Sequence, residues 1–217
     1  MHLPDSITFT GFDDRTDIYD IKSLSRKYPI EWGVLISSTN REARFPSKEA
    51  IAELVKARVN MSLHCCGYFA NDIISLNVSN FPMESISPFN RIQINKKISD
   101  EINNNDIIDI FKITGSDIII QKDHHNFNLN RFSDHIYNLF DESGGKGKLP
   151  ANIPAHPGFY SGYAGGINIE TVMDYLEKIS NPRELDYWID IESSVRTDGW
   201  FDLKKVEAIC KLVYKYK

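Results

Sequence analysis

The chain has 217 residues, 41% hydrophobic, 25% charged and 12% aromatic, which suits a packed core and excludes disordered, collagen-like and low-complexity classes. Its formal net charge is -5 and its basic residues are not massed in one stretch, so nucleic acid is not expected as a partner. Met1-His2-Leu3-Pro4-Asp5 lacks the pattern of a signal peptide and no apolar run approaches the roughly 20 residues that cross a bilayer, so a cytoplasmic protein without membrane association is expected.

Apolar periodicity then gives the elements in order. Ile7-Thr8-Phe9-Thr10 alternates as a strand, and Ile18, Ile21, Leu24 and Tyr28 recur at helical spacing behind an Asp17 cap. Glu31 to Ile36 reads as a buried strand, and Ser47 caps a helix with Ala50, Ile51, Leu54 and Val55 inward. Met61 to Cys65 is a third strand with a short helix from Tyr68 to Leu76. Arg91 to Asn95 is a fourth with a helix from Ser99 to Ile110. Asp117 to Gln121 and His135 to Phe140 follow as strands five and six, and the short Asn/His-rich link between them lacks a full helix. A Gly/Pro-rich loop runs from Asp141 to Pro157. Tyr160 to Ala164 then makes strand seven, with Val172, Leu176 and Ile179 on its helix. Tyr187 to Ile191 is strand eight, and Asp202 caps a closing helix that buries Leu203, Val206, Ile209 and Val213.

Strand-helix alternation fits an open doubly wound sheet as well as a barrel. The strand ends favour the barrel: polar or glycine residues follow most strands, among them Thr10 with Asp13 and Asp14, His64 with Cys65 and Cys66, Asn95, Asp141, Gly165-Gly166 and Glu192-Ser193-Ser194. The expected fold is therefore one α/β domain over residues 1–217, a (β/α)8 TIM barrel with its working site where the strands stop.

Several of these residues carry potential chemistry. Gly165-Gly166 and Ser193-Ser194 offer backbone N–H groups and hydroxyls to a phosphate at the strands where barrels commonly hold one, and Gly144-Gly145-Lys146-Gly147 adds a flexible loop with a cation. Asp13 and Asp14 also read as turn or cap formers. His64 beside Cys65-Cys66 lacks a further ligand at zinc spacing, so no metal site is assigned, and three cysteines cannot form an even disulfide framework. Trp32 and Trp188 read as barrel packing, and Trp200 as rim or ligand contact.

The run Tyr163-Ala164-Gly165-Gly166-Ile167-Asn168-Ile169-Glu170-Thr171-Val172 resembles the Ala-Gly-Gly-Leu-x-Pro-x-Asn-Val phosphate loop of the phosphoribosylanthranilate isomerase family, in the ribulose-phosphate-binding barrel superfamily, with Asn168 and Thr171 as departures. Ile189-Asp190-Ile191-Glu192-Ser193-Ser194-Val195 is similar to the family's Val-Asp-Val-Ser-Ser-Gly-Val. Leu139-Phe140-Asp141 is similar to its Leu-Leu-Asp, and Ala43-Arg44-Phe45-Pro46-Ser47 to its Ser-Pro-Arg-Tyr-Val-Ser. The resemblance implies a small phosphorylated substrate held by Gly145, Lys146, Gly165, Gly166, Asp190, Ser193 and Ser194, with Arg44 as an anion clamp and Asp141 as general acid of an Amadori-type isomerisation. It implies no cofactor, and a monomer or homodimer.

Strand one departs from the family, whose Lys-Ile-Cys-Gly places a base cysteine where this chain has Thr10. A threonine hydroxyl titrates too high to replace a thiol, so the base falls to Asp13, Asp14, His64 or Cys66. The alternatives are a lyase or epimerase on another phosphorylated metabolite, and a barrel that binds such a metabolite without catalysis.

Overall fold

The computed structural model describes residues 2–37, 42–75, 86–95, 104–128, 133–143 and 147–215. Short β-branched and aromatic runs form eight parallel strands: β1 (Ser6–Thr10), β2 (Ile30–Ser37), β3 (Met61–Cys66), β4 (Arg91–Asn95), β5 (Asp117–Lys122), β6 (Ile136–Phe140), β7 (Ser161–Ala164) and β8 (Tyr187–Ile191). Each pairs with the next, and β8 returns to β1 through Ser6 opposite Trp188 and Thr8 opposite Asp190, closing the barrel. The expected single-domain TIM barrel is the observed fold. A two-stranded hairpin, β9 (Arg196–Thr197) with β10 (Trp200–Phe201), follows β8.

The helices are α1 (Ile18–Lys27), α2 (Lys48–Ala57), α3 (Tyr68–Ile74), α4 (Asn104–Thr114), α5 (Val172–Lys178) and α6 (Leu203–Val213). All three expected caps form. Asp17 accepts from the N–H groups of Tyr19 and Asp20 at 2.7 and 3.1 Å, Ser47 from that of Ala50 at 3.2 Å, and Asp202 from that of Lys204 at 2.9 Å.

One helix ends later than expected. Residues 99–103 lie outside the described residues, and α4 continues past Ile110 to Thr114. The reason is its stop signal: Gly115, at φ 70°, closes the helix with its N–H on the Phe111 carbonyl at 2.8 Å. Among the described residues no helix lies between β5 and β6, as expected, nor between β6 and β7. There Phe127, fully buried, packs edge-on against Phe140 and Tyr163 at ring distances of 5.6 and 5.2 Å, so a loop aromatic covers the barrel wall. His135 stays outside β6, where its Nδ1 meets Asp117 at 2.8 Å and its ring stacks on Phe111 at 3.9 Å.

Strand alternation divides the interior in two. Ile7, Phe9, Trp32, Val34, Leu63, Ile92, Ile118 and Ile189 face outward into one large apolar layer shared with the helices. Ile119, Leu139, Ala164 and Trp188 form a small apolar cluster inside the barrel. Most of the remaining inner positions are polar or glycine. Glu31 and Arg91 form a buried bidentate pair at 2.5 and 2.8 Å, Thr8 donates to Glu31 at 3.0 Å, and the guanidinium lies 4.2 Å from the Trp188 ring centre. Burial opposes charge on both partners, but their mutual attraction and hydrogen bonds outweigh it, holding Glu31 below and Arg91 above its ordinary pKa. Near the closing seam, α6 is fastened to the chain before β1: the Tyr214 hydroxyl donates to the Pro4 carbonyl at 3.2 Å, and Tyr28 stacks on Tyr214.

Candidate functional site

The carboxyl ends of β4 to β8 converge on a cavity of about 50 Å³ lined by Gln93, Asn95, Gln121, Asp141, Ser143, Gly147, Gly165, Gly166, Asp190, Glu192 and Ser193, with Ala164, Ile167 and Ile191 between them. These side chains meet because strand register points every second residue inward: Asp141, Ala164 and Asp190 stand in line across β6, β7 and β8.

Part of the cavity lining is glycine backbone. Gly165 and Gly166 have φ values of 102° and 68°, a region costly for any residue with a side chain. A Cβ on Gly166 would run into the backbone of Lys148 and Leu149, so glycine also allows the sixth crossover to pass close by. The N–H groups of Gly165, Gly166 and Ser193 donate to no acceptor among the described residues. The Ser193 hydroxyl sits against Gly147, whose missing side chain leaves it room. Ser194 is different: its hydroxyl donates to the Ile167 carbonyl at 2.7 Å and ties the loop after β8 to the loop after β7.

The same lining carries two carboxyl groups in unlike settings, and Asp141 Oδ1 would lie 3.6 Å from a Cβ on Gly165. Asp141, on the residue after β6, accepts from Gln121 Nε2 at 3.3 Å, from the Ser143 N–H at 2.9 Å and from the Ser143 hydroxyl at 2.7 Å. Asp190, within β8, accepts from the Thr10 hydroxyl at 2.8 Å through Oδ1, and no partner for its Oδ2 is found among the described residues. Burial pushes Asp190 up to about 8 against the pull of the Thr10 hydrogen bond, with Glu192, Asp141 and Glu31 adding to the rise. Beside them the Gln93 carbonyl oxygen is buried without a partner among the described residues, while its amide nitrogen donates to Asn95 at 2.9 Å.

Arg44, in the loop before α2, does not line the cavity and meets it through Glu192. Its guanidinium meets Glu192 at 2.8 Å and Glu42 at 2.9 Å, so a ligand anion would have to exchange with a carboxylate already in place. Glu192 is raised by burial and partly restored by Arg44.

The four candidates for a base stand elsewhere or are otherwise engaged. Asp14 is exposed and accepts from the Ser47 N–H at 2.7 Å. Asp13 is fully buried and holds Arg196 at 3.0 Å, the Phe201 N–H at 2.7 Å and the Thr16 hydroxyl at 3.0 Å, fastening the hairpin to the loop after β1. His64, 1% exposed, pairs with the Ser62 hydroxyl at 3.0 Å, and burial lowers its pKa to about 4. It does not line the cavity. Cys66 is kept a thiol by burial, despite the Asn95 amide donating to its sulfur at 3.3 Å. Gly145 and Lys146 lie outside the described residues. Trp200 packs under the Arg15 guanidinium, 3.5 Å from its ring centre, and does not line the cavity. No described helix is long and apolar enough to cross a membrane.

Sequence reading placed Asp190 among the binding residues and missed Gln93 and Gln121. The signal available was the inward register of β4, β5 and β8 relative to Asp141, which requires knowing how the strands pair.

No family model matches the chain, and no curated protein matches its sequence. Solved structures do match in fold. A phosphoribosyl anthranilate isomerase from Thermus thermophilus superposes with a TM-score of 0.61 at 15% identity, covering 98% of this chain and 100% of that one. An N-(5'-phosphoribosyl)anthranilate isomerase from Pyrococcus furiosus has a TM-score of 0.61 at 15% identity, covering 96% and 98%. A tryptophan synthase chain from M. tuberculosis has a TM-score of 0.54 at 13% identity, covering 96% and 90%. At these identities the likeness is one of architecture, and the chain shares the (β/α)8 barrel fold of these neighbours.

Proposed function

We propose that this barrel is an enzyme that binds a phosphorylated sugar and isomerises it by acid-base chemistry. The observation that carries the reading is the make-up of one cavity: Gly165, Gly166 and Ser193, whose N–H groups meet no acceptor among the described residues, line it together with the carboxyl groups of Asp141 and Asp190. Backbone donors suit a phosphate, and two carboxyl groups in unlike settings suit the gain and loss of a proton. The names of the neighbouring structures point to phosphoribosyl substrates, which carry a phosphate and a sugar together.

The chain's own chemistry departs from the motif it resembles, because the Thr10 hydroxyl is bound to Asp190 and replaces no base. The same departure favours a second reading, a barrel that binds a phosphometabolite without turning it over.

Assaying purified protein with phosphoribosylanthranilate, by loss of substrate fluorescence, and with ribose 5-phosphate, by ketose formation, tests both. The enzyme reading expects turnover that falls about 10²–10⁴-fold in Asp141→Asn, the range for a group that moves a proton. Binding of both compounds without turnover, unchanged in Asp141→Asn, would establish the binder.

A further inference from the structure

We propose that Asp190 is the proton donor of the reaction and Asp141 the proton acceptor, acting on a phosphorylated aldose, so that the barrel's second acid-base group sits on β8 in place of a cysteine on β1. The inference rests on the phosphosugar reading above and assigns its chemistry to particular atoms.

Hydrogen-bond direction separates the two groups. Asp141 accepts from the Gln121 amide and from the backbone N–H and hydroxyl of Ser143, so it is arranged to offer lone pairs. Asp190 receives one hydroxyl on Oδ1 and leaves Oδ2 without a partner among the described residues, on the wall of the same cavity. The groups around it are mostly acidic: Glu192 just after its own strand, Asp141 just after β6 and Glu31 from β2, against Arg91 from β4. That surrounding and its burial keep a proton on Asp190 at neutral pH, where its pKa is about 8. A carboxyl group ringed by donors and a carboxyl group that keeps one oxygen open, in one cavity, suit an acceptor and a donor of protons. The rival bases are unavailable, since Asp13 and Asp14 hold loops, His64 is sealed in the barrel and Cys66 is a thiol.

The step balances without a co-reactant. Asp141 takes the C2 proton of the open-chain aldose, and the C2–H electron pair becomes the C1=C2 bond. The C1 carbonyl pair moves to its oxygen, which takes the Asp190 proton. In the second half the Asp190 carboxylate removes the C2 hydroxyl proton as the C2 carbonyl forms, and the C1=C2 pair takes the proton from Asp141 at C1. Both carboxyl groups return to their starting states and the product is a ketose phosphate. The amide groups of Gln93 and Gln121 beside them suit the hydroxyls of such a sugar, the more so because the Gln93 carbonyl oxygen is buried and unpaired among the described residues.

The test is the pH profile of ribose 5-phosphate turnover in wild type, Asp190→Asn and Thr10→Val, with thermal stabilisation by inorganic phosphate as the check on fold and phosphate binding. The wild type is expected to lose activity above about pH 8, where Asp190 gives up its proton. Asp190→Asn should lose about 10²–10⁴-fold in kcat and the alkaline limb with it, while phosphate still raises its melting temperature. Thr10→Val removes the hydrogen bond that favours the ionised form and should move the alkaline limb to higher pH. Near-normal turnover in Asp190→Asn, or an alkaline limb that stays put in Thr10→Val, overturns the assignment of Asp190 and leaves the phosphosugar reading intact. If Asp190→Asn does not fold, the Thr10→Val limb alone decides. A wild type that neither responds to phosphate nor turns over ribose 5-phosphate overturns the functional reading, and this inference falls with it.

Discussion

Asp190 holds a proton that the unfolded chain would release near pH 3.8, and that difference acts on stability as well as on chemistry. A carboxyl whose folded pKa is raised contributes stability that is fully present below the unfolded value and is lost as pH climbs through the folded one. For Asp190 the window runs from 3.8 to about 8. His64 acts in the opposite sense: its folded pKa is lowered from 6.5 to about 4, so its contribution is present above 6.5 and lost as pH falls toward 4. Above pH 6.5, therefore, Asp190 acts without interference from His64. Urea unfolding should show the wild type losing on the order of 2 kcal/mol between about pH 6.5 and about pH 8, with the decline absent in Asp190→Asn. The variant should be more stable and less active, the trade expected where a site holds a buried group in a disfavoured setting.

At the scale of elements, the barrel depends on small residues where inward side chains are large. Gly33 in β2 faces the interior, and a Cβ there would lie 3.0 Å from both His64 Nε2 and the Thr10 backbone, and closer still to the Thr10 hydroxyl. Gly33→Ala should cost about 1–3 kcal/mol in urea unfolding, the range for overpacking a tight interior, and should disturb the Thr10 contact to Asp190. Such non-local needs are hard to read from a chain, whereas local ones are not. Asp17, Ser47 and Asp202 announce their helices because a capping side chain and its N–H partners lie within three residues. The end of α4 was also written locally, in Gly115, but the apolar spacing before it was too weak to set the frame. The site divides the same way. Gly165-Gly166, Ser193 and Asp141 could be read from short motifs, while the pairing of Thr10 with Asp190, 180 residues apart in the chain, exists only because β1 closes on β8.

For the molecule as a whole, eight parallel pairings form a ring, and a ring has no privileged first strand. The peptide bonds that join the elements are, to the folded structure, interchangeable with any other joint that spans the same gap. The seam at β1 and β8 is bridged on the outside by α6, with Tyr214 against Pro4, so the two ends of the described chain already meet. A short glycine-serine link there, with a new opening at the exposed Ala151-Asn152 in the loop before β7, should leave every strand pairing in place. The rearranged chain is expected to give the same circular dichroism spectrum and the same thermal response to inorganic phosphate as the original. In that chain β7 would be made first and β6 last, so the loops after β7 and β8 would leave the ribosome ahead of the rest of the site, and the order of synthesis could be varied while the finished architecture is held constant.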